Sequence, residues 1–416
     1  TGFFSLVLAS ADDRDRAVTK NPDSPPRRNR VRTLEAYHVG QGHALPLRRY
    51  IGSLAPNSVK VIPRILATLV FFAAFEGIVF HTRLYPSIIE PDSTAGAMET
   101  QLNNELKRSK PDRNQVLAVG HSRMALLPRV ANDMKPSTGY RFASVGIGGT
   151  TVRCWYYELR ELDPHANRYS AIIIPSDDYN EPDSYENLND RDLDTRYLIA
   201  RLKLGDLPVY PWSFDDYKLK WVTFGDILFK GYVYKRDFLD FLSHPEERIA
   251  KASLNDRDSH GWYYDYVGPE HSVAGLEIDW QHNIAHYPAS FTAEQRKLIE
   301  DVLFGPKPPD AGVLTAYLRR WYGRIIDHYR GSGTKLIFLR VPRAPQPPPE
   351  RPPKVNSAIR QIASQPDVVV LDEHLFDQLE HTDLFADPMH LNGEGMNRFS
   401  RILATEVVRV LGPPKS

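Results

Sequence analysis

Cysteine is almost missing from this chain of 416 residues, where Cys154 stands alone. That excludes an intramolecular disulfide framework and a zinc site built on cysteines, and it fits any redox compartment. A surplus of charge is missing too. Lys and Arg total 52, as do Asp and Glu, so no bulk field draws the chain to nucleic acid or an anionic polymer. Nucleic acid is therefore not an expected partner. What is abundant is globular material, 42% hydrophobic and 25% charged, enough for one large domain or two ordinary ones. The 33 prolines gather at residues 345–353, which read as an extended, solvated loop outside the core.

One long apolar run stands out, residues 65–82 between Arg64 and Arg83, about the length that crosses a hydrocarbon core of roughly 30 Å. It reads as a transmembrane helix over residues 61–84. Glu76 is the obstacle, because a carboxylate near mid-span costs about 3 kcal/mol on insertion scales and calls for a partner or a proton. The competing reading is a core helix of a soluble protein. Arg27, Arg28, Arg30, Arg32, Arg48, Arg49, Lys60 and Arg64 precede the run, while Glu90, Asp92 and Glu99 follow it. The positive-inside rule then puts the N-terminus in the cytoplasm and the C-terminal domain in a periplasm or at the cell surface. Residues 1–60, polar and Arg-rich without apolar periodicity, read as a disordered basic arm. The chain opens on Thr1, as a fragment or a displaced start would, and residues 3–9 are too short for a signal-peptide core.

Beyond the run, residues 98–108 look like a short amphipathic helix. Short Val-, Ile- and Leu-rich runs at 116–119, 142–145, 171–174, 335–341 and 368–371 then alternate with helical patterns, notably 316–329 and 396–411. Continuous apolar runs of this length suit strands buried on both faces of a parallel sheet. The expectation is a three-layer α/β/α domain over residues 98–416. Sites in such sheets form beyond the carboxyl ends of strands. Ser122, Gly148, Gly149, Ser176, Asp177 and residues 340–343 all fall there.

Two of these strand ends, with one late motif, carry a chemistry. Gly120-His121-Ser122 closes the first apolar run, and Asp387-Pro388-Met389-His390 lies near the C-terminus. A serine hydroxyl is a weak nucleophile until a histidine takes its proton, and that histidine needs a carboxylate to fix its tautomer. Asp387 and His390 share one turn, so a single loop delivers both. A helix start after Ser122 and the backbone of Gly146-Ile147-Gly148-Gly149-Thr150-Thr151 offer N–H donors for an oxyanion. Each piece also has a plain reading: an N-capped strand-to-helix turn, a capped surface turn, a tight glycine turn. Their joint order along the chain favours a Ser122–His390–Asp387 triad. Met124 stands where the nucleophile elbow of α/β-hydrolases needs glycine, so a different serine-hydrolase fold is required.

On these residues the chain resembles the SGNH, or GDSL-type, hydrolase superfamily over residues 114–411. Val119-Gly120-His121-Ser122 resembles the first block, with Ser122 as nucleophile and oxyanion donor. Residues 145–151 resemble the second, with Gly149 and next Gly148 as donor, and Asp387-Pro388-Met389-His390 resembles the last. The resemblance implies a flavodoxin-like α/β/α fold and acyl-ester chemistry, with neither cofactor nor metal. The third block departs from the family pattern. Pro175-Ser176-Asp177-Asp178 carries Asp177 where the family has an oxyanion-binding asparagine, so Asp177 is protonated, or Ser176 or Asn180 takes its place, or hydrolysis is not the activity.

Membrane-tethered relatives of that superfamily acetylate alginate or help move D-alanine onto teichoic acids. They share the layout of an N-terminal helix ahead of a divergent SGNH domain. The likeness implies an acylated or acylatable carbohydrate as substrate and a multispanning membrane acyltransferase as partner. The chain is thus expected to be a membrane-anchored serine acyltransferase. A simple esterase and a catalytically silent scaffold of a polysaccharide-modifying complex are the alternatives. An aromatic-rich insertion at about 181–304 is expected as a cap over the site or as additional core. Within it, His282 and His286 have helical metal spacing without a zinc-protease glutamate, and no metal is expected.

Overall fold

Five short runs of aliphatic residues become the strands of one parallel sheet. They are β1 (Gln115–Ala118), β2 (Arg141–Ser144), β3 (Ala171–Pro175), β6 (Lys335–Leu339) and β7 (Val368–Val370). The computed structural model describes residues 58–108, 114–124, 134–176, 178–179, 187–258, 273–305, 312–354 and 356–414. The strand order is β2-β1-β3-β6-β7 and all neighbours are parallel. Counting only strands of this sheet, that order is 2-1-3-4-5. β1 and β3 are buried at every position, which is why they lack the alternation of a half-exposed strand.

The pleat sends successive side chains to opposite faces, and two apolar clusters form there. Leu117, Val119, Ile172, Ile174, Leu336 and Phe338 join one cluster, with helices Thr94–Arg108, Val152–Leu162 and Val313–Tyr329. Val116, Ala118, Ala171, Ile173, Ile337 and Leu339 join the other, with helices Ala293–Phe304 and Gly393–Leu411. The last helix shows how pattern dictates packing. Met396, Phe399, Leu403 and Val407, three to four residues apart, are its buried stripe, and the Asn392 side chain caps its start by accepting from the Gly395 N–H.

Boundaries shift where a local interaction decides them. β6 stops at Leu339 rather than 341, because β3, its partner, ends at Pro175 opposite Leu339. The helix expected at 98–108 starts at Thr94, since the Ser93 hydroxyl accepts from the Gly96 N–H at 3.0 Å. Val368–Val370 is half-buried rather than fully covered.

Between β3 and β6 the chain forms helices Tyr217–Leu228, Lys230–Val233, Lys235–Ser243 and Pro245–Asp258, then an antiparallel hairpin of β4 (Glu277–Asp279) and β5 (Ile284–His286). His282 lies in the hairpin turn and His286 in β5, so they do not share a helix face. The His282 Nδ1 instead lies 2.7 Å from Asp279 Oδ2. The insertion's aromatics divide: Tyr210, Phe214 and Tyr234 are additional core, while Trp212, Tyr217, Trp221 and Tyr232 are exposed. Residues 262–266, singled out by their aromatics, lie outside the described part, as do residues 1–57 of the basic arm; its last three residues open helix Ser58–Phe80.

The chain divides into two compact units, Thr1–Phe75 and Glu76–Ser416. Helix Ser58–Phe80 runs through the division, and its portion Val61–Phe80, 20 residues, is long and apolar enough to cross a membrane. Glu76 is buried, and its carboxylate accepts from the Gly231 N–H at 3.0 and 3.2 Å.

Candidate active site

The site begins with the way the chain leaves β1. Gly120 takes φ +149°, and a Cβ there would lie 2.7 Å from Met124 Cγ and 2.8 Å from Pro175 Cγ. Only glycine fits both the conformation and the space. The turn at Gly120 brings Ser122 to the start of a short 3-10 turn, Ser122–Met124, beyond the carboxyl end of a central strand. The helix expected to follow falls on residues 125–133, outside the described part.

At the far end of the sequence, the loop before helix Gly393–Leu411 brings its own pair. Ser122 Oγ lies 2.7 Å from His390 Nε2, and His390 Nδ1 lies 2.8 Å from Asp387 Oδ2. The other Asp387 oxygen accepts from the N–H groups of Met389 and His390, both at 2.7 Å. Burial pushes the Asp387 carboxyl up, but the His390 hydrogen bond and charge, with these two N–H groups, outweigh it and hold it below the usual carboxylate range. An ionised Asp387 requires a proton on Nδ1. The Nε2 lone pair then faces the serine hydroxyl, the arrangement a general base needs.

The glycine loop is fastened to the same strand end. Ile147 N–H donates to the Gly120 carbonyl at 3.0 Å, and Thr150 Oγ1 donates to it at 3.1 Å. Trp155 Nε1 in turn donates to Thr150 Oγ1 at 3.0 Å. Gly148 faces the nucleophile: a Cβ built on it would have Ser122 Cβ as its neighbour, at 3.8 Å. Gly149 adopts φ +76°, a left-handed conformation that glycine takes without strain. Among the described residues, the N–H groups of Ser122, Gly148 and Gly149 have no acceptor. Three N–H donors of this turn and this loop thus remain unused.

No protein-family model and no curated protein matches this chain.

Other strand-end residues go elsewhere. Ser176 is buried, its N–H donates to the Leu339 carbonyl at 2.8 Å, and its hydroxyl accepts from the Asp178 N–H at 3.4 Å. Asp177 and Asn180 lie outside the described residues. Asp178 is wholly buried and structural: Thr315 Oγ1 and Lys354 Nζ donate to it at 3.0 and 3.1 Å. Arg340 and Arg343 join an acidic group of Glu373, Asp377 and Glu380.

Two residues that motif reading did not reach shape the site. The Tyr197 hydroxyl donates to the Gly148 carbonyl. In a trans peptide the carbonyl and the following N–H point in opposite directions, so this bond turns the Gly149 N–H away from Tyr197. Arg153, the second residue of the helix that follows the loop, forms a fully buried ion pair with Asp194 at 2.8 Å. Thr151 Oγ1 donates to the same carboxylate at 2.9 Å. The guanidinium sits 4.1 Å from the Phe214 ring centroid and donates to Ser213 Oγ at 3.0 Å. The start of the insertion is thereby locked to the helix behind the glycine loop. A Tyr or Arg that acts across such a distance along the chain leaves no local signature, and neither residue could have been picked from spacing.

Proposed function

We propose that this chain is a membrane-anchored, SGNH-like serine acyl-transfer enzyme that acts on an acylated or acylatable carbohydrate outside the cytoplasm. The observation that carries the reading is the hydrogen-bonded series Ser122–His390–Asp387 beyond the carboxyl end of β1. The strand order supports it, since 2-1-3-4-5 is the order of flavodoxin-like doubly wound sheets. So does the coincidence of the glycine loop with the serine.

In this mechanism His390 Nε2 takes the Ser122 proton as Oγ attacks an acyl carbonyl, and Asp387 stabilises the imidazolium that forms. The N–H groups of Ser122, Gly148 and Gly149 receive the developing oxyanion. Collapse of the tetrahedral intermediate breaks the ester bond, and His390 gives its proton to the departing alkoxide. A sugar hydroxyl then loses its proton to His390 and attacks the acyl-enzyme; collapse breaks the Ser122 ester, His390 returns the proton to Ser122 Oγ, and the acylated sugar leaves.

The anchor belongs to the same reading. Helix Val61–Phe80 has the length to span, and the basic residues before it favour a cytoplasmic N-terminus. The Glu76 obstacle is eased by the Gly231 N–H, which supplies the partner that a carboxylate in a span requires.

The test is a partition measurement. Full-length protein is incubated with an aryl acetate, with and without an oligosaccharide acceptor. Acetylated oligosaccharide that disappears with Ser122→Ala supports transfer. Release of acetate alone, undiminished by acceptor, reassigns the chain as an esterase. No turnover by the wild type in either format favours the scaffold alternative.

A further inference from the structure

We propose that the exposed aromatic surface of helices Tyr217–Leu228 and Lys230–Val233, with the turn Pro211–Ser213 before them, lies in the headgroup layer of a lipid bilayer. The domain would then rest on the membrane instead of swinging on a tether. The inference rests on the reading of Val61–Phe80 as a span and extends it to a second, independent set of residues.

Depth comes first. Glu76 is one turn from the end of the span at Phe80, so it lies about 6 Å of helix rise below that end. The Gly231 N–H is bonded to its carboxylate, and a Cβ at Gly231 would come 2.5 Å from Glu76 Oε2 and 2.7 Å from Phe80 Cε2. The backbone at 231 is therefore pressed against the span's final turn. Phe80 also packs on Tyr234 and Phe238, with ring centroids 6.4 and 5.4 Å apart. If Phe80 marks the membrane surface, residue 231 and its neighbours sit at that surface too.

Composition comes second. Phe229 and Tyr232 flank Gly231, and both are exposed, Tyr232 to 80% of its surface. Trp212, Tyr217 and Trp221, just before them in the chain, form a second exposed aromatic group: Trp221 stands 5.8 Å from Trp212 and 6.2 Å from Tyr217 by ring centroids, and all three are exposed. Clustered exposed Trp and Tyr are costly against water alone and favoured at the lipid–water boundary, where an apolar ring and a polar edge are both satisfied. Exposed aromatic groups of this kind mark an interaction surface, and the Gly231 contact fixes the depth of the end that carries Phe229 and Tyr232. Lipid is the occupant that this depth selects.

The experiment uses the full chain in phosphatidylcholine vesicles containing lipid brominated either near the headgroup end or near the methyl end of its acyl chains. Tryptophan fluorescence is read for the wild type and for a Trp212→Phe/Trp221→Phe variant. The expected result is stronger quenching by the shallow bromines, most of it lost in the variant. Cys154, the only cysteine, is buried, so Tyr232→Cys carrying an environment-sensitive fluorophore gives a second reading, with blue-shifted emission in vesicles expected. Equal quenching of wild type and variant, with water-like emission at position 232, overturns the inference while the span stands, provided the chain resists alkaline extraction. A protein partner covering the patch would give that outcome. Release of the chain by alkaline extraction overturns the span itself, and this inference with it.

Discussion

In the proposed mechanism Ser122, His390 and Asp387 divide one task, and that division predicts how each substitution acts. Asp387→Asn keeps the shape but offers an amide to His390 Nδ1. If the ring responds by placing its proton on Nε2, it turns a donor toward Ser122 and can no longer take the hydroxyl proton. Turnover on an aryl ester is expected to fall roughly 10⁴-fold with KM little changed, as for a triad with the wrong tautomer. Because the folded Asp387 carboxyl is held below its ordinary range, its contribution to stability is fully present above that range and is lost only as pH falls through the lowered value. Tyr197→Phe is a subtler case. It removes the hydroxyl that fixes the Gly148 carbonyl, and kcat is expected to drop about 10- to 100-fold with KM unchanged, because an oxyanion donor acts in the transition state. A matching loss in both constants, or a lower melting temperature of the same protein, would make Tyr197 a packing residue only. The triad was legible because two of its members share a four-residue motif and the third ends an apolar run. Tyr197 was not, since it meets Gly148 from 49 positions away and nothing in its local sequence marks it.

At the scale of elements, the glycine loop and the first part of the insertion are one unit joined by Arg153 and Asp194. Both side chains are wholly buried, so removing one leaves the other's charge without compensation. Arg153→Met is expected to destabilise the fold by about 3–5 kcal/mol in denaturant titrations. The double variant Arg153→Met/Asp194→Leu is expected to recover much of that, because a neutral pair of similar volume carries no desolvation cost. Equal loss in single and double variants would contradict the ion-pair account. Strand and helix positions were readable from runs and periodicity: four of the five sheet strands were placed within a residue or so, because parallel buried strands are continuous in Val and Ile. Their ends were less readable. β6 stops where its neighbour stops, and pairing partners are not written in a strand's own residues. The His282 and His286 spacing depends on context in the same way, since a spacing of four means one face only if the segment is helical, and here it is a hairpin.

For the molecule as a whole, a parallel sheet brings residues from positions 122 and 390 to one point, 268 positions apart. An apolar helix enters the same chain ahead of that sheet. The span's length was plain in the sequence, whereas the bond that satisfies Glu76 reaches 155 positions to Gly231 and became visible only in the fold. The central claim is that Ser122 is an activated nucleophile. Its most direct test is intact-protein mass spectrometry of the folded, full-length chain after exposure to a fluorophosphonate, with peptide mapping of the adduct. One adduct per chain, mapped to Ser122 and absent from Ser122→Ala and strongly slowed in His390→Ala, is the predicted result. A folded wild-type chain that stays unmodified, or one labelled equally well without His390, would contradict it.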